Sequence, residues 1–306
     1  SNFSGNEDEV EASLKPIKET AQNEEEEDTT TRTWYDLNGI TFGNNTFVAV
    51  GERGTVRTSS DNGSSWDNGT RGTTSELNEI AYGDQTFVTV GQSGTNLYSS
   101  DNGSTWSSGT TSETASYYGV ANGNNTFVAL GPSNVIKSTD NGSNWTTIST
   151  IKLNDVVFGD STFIGCGAEG AIYTSTDNGS SWTSRTSGAT ANTLYGVTYG
   201  NNLFISVGSS GKLIKSTNNG TNWTNVDSTV SNSIYSIAYG NSKFVGVGYN
   251  TVIVSTNSNG TAFQLRYTER TFNDISFGNG VFVAVGNDEI IYTSTDGDTW
   301  TKVYGK

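Results

Sequence analysis

Two short elements alternate seven times along this chain. One reads Ile40-Thr-Phe-Gly-Asn-Asn-Thr-Phe-Val-Ala-Val-Gly51 and returns as Ile80-Ala-Tyr-Gly-Asp-Gln-Thr-Phe-Val-Thr-Val-Gly91, with further copies ending at Gly131, Gly167, Gly208, Gly248 and Gly286. The other reads Ser59-Ser-Asp-Asn-Gly-Ser-Ser-Trp66, with copies ending at Trp106, Trp145, Trp182, Trp223, Phe263 and Trp300. From Trp66 to Trp300 is 234 residues over six intervals, a period of 39. Residues 34–306 number 273, seven such periods, so the array leaves no room for a second folded domain. A fixed period of this length constrains the fold more than any single residue does.

Each unit reads as four short strands, in the first unit about Leu37–Phe42, Thr46–Gly51, Thr55–Ser60 and Ser65–Thr70. Thr, Val, Ile and aromatics fill the strands, while Gly, Asn and Asp fill the turns. The two strands flanking Gly43-Asn-Asn-Thr46 are joined too tightly for anything but a hairpin. Four strands at a period near 40 predict an all-β, seven-bladed β-propeller with four antiparallel strands per blade. A single blade cannot bury both of its faces, and packing blades around an axis buries them between neighbours. The first strand of each unit, carrying Gly39, Gly119 and Gly196, is expected to line the crowded channel. The Ser-Asp-Asn-Gly turns join third to fourth strands and are expected to share a lower face with the Gly-Asn-Asn-Thr hairpins. Loops after the second strand then share the upper face.

The chain has no His, which removes His-based catalysis and His-ligated metals. The single Cys166 removes intrachain disulfides and Cys-based zinc sites, and reads as a small core residue where other units have Val or Leu. No metal and no cofactor are expected. The net charge of -15 argues against nucleic acid and anionic membrane surfaces. No apolar run approaches the roughly 20 residues of a membrane helix. With no Met, Ser1 is not a translation start, and the chain is expected to be a processed protein or a fragment.

Residues 1–30 hold 10 acidic residues and 2 Lys, a net of -8, so more than half of the charge sits in a tenth of the chain. Glu24-Glu-Glu-Glu-Asp28 repels itself. Residues 1–33 are expected to be an acidic flexible leader or an attachment arm to a larger assembly. Glu7 to Lys15 could form a short helix that Pro16 interrupts. Thr31–Tyr35 is a candidate edge strand for ring closure, which otherwise rests on side-chain packing between blades one and seven.

The motif Ser-x-Asp-x-Gly-x-x-Trp resembles the Asp-box, or BNR repeat. Intact copies carry Asp61 and Trp66, Asp101 and Trp106, Asp140 and Trp145, and Asp177 and Trp182. The fifth has Asn218 before Trp223, the sixth Asn257 before Phe263 with one extra residue, and the seventh Asp296 before Trp300 with one residue fewer. Physically the Asp accepts hydrogen bonds from its own turn, Gly permits positive φ, and the aromatic packs beneath the hairpin. These residues are therefore expected to be structural. The same turns create glycosylation sequons at Asn62, Asn102, Asn141 and Asn178 automatically, which weakens their evidential value.

Families similar in this motif include sialidases, sortilin-type receptors, photosystem assembly factors, and surface or phage-tail proteins. The sialidase resemblance implies an Arg-Ile-Pro motif and an arginine triad. The only Pro residues, Pro16 and Pro132, follow Lys15 and Gly131, so the motif is absent. Other glycosidases need two carboxylates at a defined separation. The upper-face acids Glu52, Glu169, Asp288 and Glu289 come from different units and are read as solvated charge. Positions breaking the repeat are better candidates for binding: Tyr117, Tyr118, Tyr195 and Tyr235 near the starts of inner strands, Trp34 and Tyr35 before the first, and Arg53 on an upper loop. Arg57 stands where other units have Leu97, Ile136, Tyr173 or Ile214.

These residues point to a non-enzymatic recognition or structural module that binds protein or carbohydrate through its upper face. Its Asn/Thr/Ser/Gly-rich texture resembles microbial surface and phage-tail propellers, which implies an extracellular or virion location. The alternatives are a sialidase-like or other glycoside hydrolase, and a scaffold similar to photosystem assembly factors. The latter are described as using a basic patch, which few Lys and Arg here could form.

Overall fold

The computed structural model describes residues 18–19, 33–266 and 269–306. Seven antiparallel sheets of four strands follow one another along the chain, each with its strands in sequence order. Their inner strands are Leu37–Gly43, Leu77–Gly83, Gly119–Gly123, Asp155–Gly159, Leu194–Gly200, Ile234–Gly240 and Phe272–Gly278. Each inner strand packs on the next, and the last returns to the first, which closes a seven-bladed propeller.

The hairpin turns explain the inner pair of strands. Asn44 and Asn45 both take left-handed φ, 45° and 56°, and the same pair of positive values recurs at Asp84–Gln85, Asn124–Asn125, Asp160–Ser161, Asn201–Asn202, Asn241–Ser242 and Asn279–Gly280. Two consecutive left-handed residues make the turn whose twist matches that of the flanking strands. The register follows, with Phe42 opposite Phe47 and Gly43 opposite Thr46. The outermost strands are shorter than the sequence suggests: Asp67–Asn68 in blade one, and two to four residues in the other blades. In blades one, two and five these strands are two exposed, polar residues, so only the backbone ladder orders them.

The core lies between blades. Leu97 of blade two packs against Val48, Val50 and Val56 of blade one, and Phe47 and Ala49 of blade one meet Val283, Val285 and Ile291 of blade seven. The ends of the inner strands interlock around the whole ring. A Cβ at Gly123 would stand 2.1 Å from the Phe158 ring, and the same close approach joins Gly43 to Tyr82, Gly159 to Tyr199, Gly200 to Tyr239, Gly240 to Phe277 and Gly278 to Phe42. Gly83 meets Asn122 instead of an aromatic ring.

The Asp-box turns behave as their residues suggest. Asp101 Oδ1 accepts the Thr105 N–H at 2.9 Å, and its Oδ2 accepts the Thr105 hydroxyl at 2.6 Å. Asp61 and Asp177 do the same with Ser65 and Ser181, and Asp140 accepts the N–H and the side-chain amide of Asn144. Asn218 accepts the Asn222 N–H at 2.9 Å, and Asn257 accepts that of Thr261 at 3.3 Å. In the shortened seventh turn Asp296 accepts from the Asp298 and Thr299 N–H groups. Trp66, Trp145 and Trp300 are buried, as is Phe263, while Trp106, Trp182 and Trp223 are half-buried. Five of the indoles donate to the carbonyl of their own turn glycine, as Trp66 does to Gly63 at 3.0 Å. The turns and hairpins share one face: Asn44 donates to Asn102 at 2.9 Å, Asn124 to Asn178 at 3.0 Å and Asn279 to Asn62 at 3.1 Å.

Blades one and seven meet without sharing a strand. Lys18–Glu19 adds a fifth strand to the outer edge of blade seven, parallel to Thr301–Tyr304. Of the edge strand expected at Thr31–Tyr35, Thr33, Trp34 and Tyr35 lie outside the strands, and Thr31 and Arg32 lie outside the described residues. Residues 1–17 and 20–30 of the leader, including the helix considered at Glu7–Lys15, also lie outside them.

Candidate binding site at the channel mouth

Seven equivalent positions face the channel on the inner strands: Gly39, Glu79, Gly119, Asp155, Gly196, Ser236 and Asp274. Each acid has a small residue on either side. The space is needed, since a Cβ at Gly39 would stand 2.8 Å from the Cα of Glu79, and one at Gly119 would stand 2.9 Å from that of Asp155. Two of the carboxylates join blades. Asp155 Oδ2 accepts the Val197 N–H of blade five at 2.8 Å, and Asp274 Oδ2 accepts the Ile40 N–H of blade one at 2.7 Å. Asp274 Oδ1 accepts the Ser236 hydroxyl of blade six at 2.5 Å. Glu79 accepts the N–H of Ile80 at 2.8 Å.

Burial raises the affinity of all three for protons. Asp155 is pushed up to about 7 and Asp274 to about 6, burial outweighing the hydrogen bonds that favour their charged forms. Glu79 is raised well above the usual carboxylate range by burial and by the charges of Asp274 and Asp155. Among the described residues no group of three His, Cys, Asp or Glu is arranged to hold a metal ion.

One residue earlier on the inner strands runs a second ring. Asn38, Asn78, Asn154 and Asn273 each donate to a carbonyl of the next blade, at Leu77, Tyr117, Leu194 and Leu37, with distances from 2.7 to 2.9 Å. Blades three, five and six place Tyr118, Tyr195 and Tyr235 there instead. Tyr118 is exposed, while the half-buried Tyr195 and Tyr235 meet edge to face at 5.6 Å. Burial and the neighbouring Tyr195 raise the Tyr235 phenol above its ordinary value. Asparagines, tyrosines and carboxylates together line a cavity of about 430 Å³, with Ala168 and Thr193 at its edge and no Arg or Lys.

The other sequence candidates separate from this cavity. Tyr117 is completely buried among Val90, Val120 and Ile136, and burial followed by the charge of Glu113 pushes its phenol up to about 12. It is therefore a core residue, not part of a binding surface, because its side chain turns to the opposite side of the strand from that of Tyr118. Trp34, Tyr35 and Arg53 line a second depression of about 510 Å³ with Glu52, Glu76 and Gln92, over blades one and two. There the guanidiniums of Arg53 and Arg71 lie 5.6 and 5.4 Å from the Tyr35 ring, and Trp34 meets Tyr304 edge-on at 6.1 Å.

Of the upper-face acids, Glu169 and Asp288 are exposed, and Glu52 is half-buried with its carboxylate accepting the Asp36 N–H at 3.3 Å. Glu289 departs from the expected solvated charge. It is buried, and its carboxylate receives Arg57 at 2.6 Å. The channel acids Glu79, Asp155 and Asp274 were legible only by aligning the units on Gly39, Gly119 and Gly196, which sit at the same register.

Comparison with known proteins now adds to this geometry. The sequence profile of the Photosynthesis system II assembly factor YCF48 family, a BNR type, matches residues 72–303. The chain belongs to this family. No curated protein matches it. Solved structures similar to this YCF48-family chain include YCF48 bound to a D1 peptide, at a TM-score of 0.68 and 16% identity over 85% of this chain and 93% of that one. YCF48 from Cyanidioschyzon merolae is similar at 0.68 and 18% identity, covering 85% and 95%. A GH74 enzyme from Niastella koreensis reaches 0.70 at 15% identity, covering 88% of this chain and 54% of that one. At these identities the structural likenesses establish the propeller fold alone.

Proposed function

We propose that this propeller is a non-catalytic assembly scaffold that docks an extended protein segment at the channel mouth. The observation that carries this reading is the 430 Å³ cavity, which Tyr118, Tyr195 and Tyr235 line together with the carboxylates of Glu79, Asp155 and Asp274 and no Lys or Arg. Tyrosine offers rigid apolar area with a polar tip, the composition of peptide-binding surfaces. The asparagine side chains, Asp155 and Asp274 already serve neighbouring blades, so the tyrosines are the groups left to meet a ligand directly, and the acids act on it through their charge. Family membership supports a scaffold over display on a cell surface or virion, and nothing in the site favours a glycan.

The cavity's charge selects its segment. An acidic peptide would add like charge above Glu79, Asp155 and Asp274, whereas a Lys or Arg side chain would hold them ionised. Because Asp155 and Asp274 take up protons at or below neutral pH, a cationic segment binds more tightly at pH 8 than at pH 5. Fluorescence anisotropy with a D1 peptide and with Lys-bearing and Glu-bearing versions of it tests the reading. Tyr235→Ala should weaken binding about tenfold or more, as loss of a buried aromatic anchor does. Binding unchanged by Tyr235→Ala and Tyr195→Ala, or stronger for the Glu-bearing peptide, refutes it. Hydrolysis of a glycoside panel, abolished by Asp155→Asn, would establish the competing glycosidase reading.

A further inference from the structure

Two departures from the repeat lie on opposite sides of the junction between blades seven and one. Position 57 is apolar in the other six blades. Leu97, Ile136, Ile214, Ile253 and Tyr292 each pack into an apolar cluster shared with the preceding blade. Position 289 corresponds to Gly54, Gly94, Gly170 and Gly211, all left-handed, with φ from 66° to 73°. In those blades a Cβ would strike the backbone at Thr73, Glu113, Ala189 or Val230, in the connection to the next blade. No connection leaves blade seven for blade one, and Glu289 occupies the position with φ of 57°.

The two residues meet. Arg57 Nε and Nη2 donate to Glu289 Oε2 at 3.0 and 2.6 Å, with side-chain exposures of 7% and 1%. Arg57 Nη1 donates to the Val56 carbonyl at 2.9 Å, and its guanidinium lies 5.7 Å from the Tyr304 ring. Glu289 Oε1 accepts the Tyr35 N–H at 3.3 Å, and the neighbouring Asp288 N–H donates to Asp36 at 2.9 Å. Of the three ion pairs between described residues, this is the one buried on both sides.

We propose that Arg57 and Glu289 form a closure lock that identifies blade seven as the only correct neighbour of blade one. An array of near-identical units offers many wrong partners for its free first blade: a shorter ring, or a blade of another copy. At any of those junctions Arg57 finds no acid where Glu289 should be, since blades one, two, four and five have a glycine there and blades three and six have the shorter loops 132–134 and 249–250, and its charge is buried without that counterion. A buried pair is weak evidence for net stability but a strong penalty against mismatched pairing, since removing one partner strands the other. The lock thus fixes blade number and holds shut the one interface that no covalent link crosses.

Hydrogen exchange and refolding test it. In Glu289→Gln, amides of Leu37–Gly43 and Ile291–Ser294 should exchange about tenfold faster or more than in the unsubstituted protein, while Asp155–Gly159 and Leu194–Gly200 keep their rates. Arg57→Leu with Glu289→Gly restores the repeat's own residues on both sides. It should fold, yet refold from denaturant to a mixture of ring closures and oligomers by size-exclusion light scattering, where the unsubstituted protein gives one species. Uniform acceleration at all blades in Glu289→Gln overturns the lock. So does a double variant that refolds to a single species with unaltered exchange.

Discussion

The Asp-box shows how much one side chain can organise. Asp177 is lowered to about 2, first by the Ser181 hydroxyl, with the Ser181 N–H and the Ser175 hydroxyl adding to it. Asn218 does the acceptor's work without charge, so charge is not what the turn requires. Asp101→Asn should therefore change stability by less than about 0.5 kcal/mol. Asp101→Ala, which orphans the Thr105 N–H and hydroxyl, should cost about 1–2 kcal/mol in denaturant unfolding.

The two classes of carboxylate pull stability in opposite directions with pH. For Asp155 and Asp274 the folded pKa lies above the unfolded value, so the folded chain binds more protons over the interval between them. Their contribution is fully present below about pH 4 and is lost as pH rises through 6 to 7. For the turn residues Asp61, Asp101, Asp140 and Asp177 the folded value is depressed, so their contribution is present above about pH 4 and lost as pH falls below it, for Asp177 toward 2. The melting temperature should peak near pH 4–5 and fall by about 2 °C or more by pH 8. Asp155→Asn should flatten the alkaline limb and leave the acid limb unchanged. An alkaline limb identical to that of the unsubstituted protein would show that Asp155 does not titrate as its burial implies.

At the scale of the strand, the inner-strand glycines are sockets for the next blade. Gly159→Ala would place a Cβ 2.2 Å from the Tyr199 ring and displace it from the junction of blades four and five. The expected loss is about 1–3 kcal/mol, as for other overpacked contacts. Gly188→Ala meets nothing within 4 Å and serves as a control for the cost of a left-handed Ala alone. The elements themselves were legible, because Gly-Asn-Asn-Thr and Ser-x-Asp-x-Gly encode turns whose backbone needs are local. The site was less so. Tyr118, Tyr195 and Tyr235 broke the repeat and drew notice, whereas Glu79, Asp155 and Asp274 matter through register and burial. Tyr117 misled because strand alternation sends adjacent tyrosines to opposite sides, and a one-residue uncertainty in register exchanges core for surface.

For the whole molecule, closure decides cooperativity. Blade seven ends in Thr301–Tyr304, which Lys18–Glu19 covers on its outer edge. Removing residues 1–32 uncovers that edge but leaves Trp34, Arg57 and Glu289 in place. The melting temperature should drop by about 2–4 °C while unfolding stays a single transition. An unchanged melting curve would mean that the Lys18–Glu19 pairing contributes nothing measurable. The pairing was not legible in the sequence, since two residues of an acidic leader carry no strand pattern.

The ring of channel-facing residues has an arithmetic of its own. Small and acidic residues alternate around it because two bulky neighbours do not fit side by side. Strict alternation is possible only when the number of seats is even, and this molecule has seven. Parity therefore requires one place where two small residues are adjacent. That place is Gly196 and Ser236, and directly above it stand Tyr195 and Tyr235. An eight-bladed relative could alternate without a break and would have no such vacancy beneath its rim. In this chain the odd blade count itself breaks the symmetry of the channel and gives it a side.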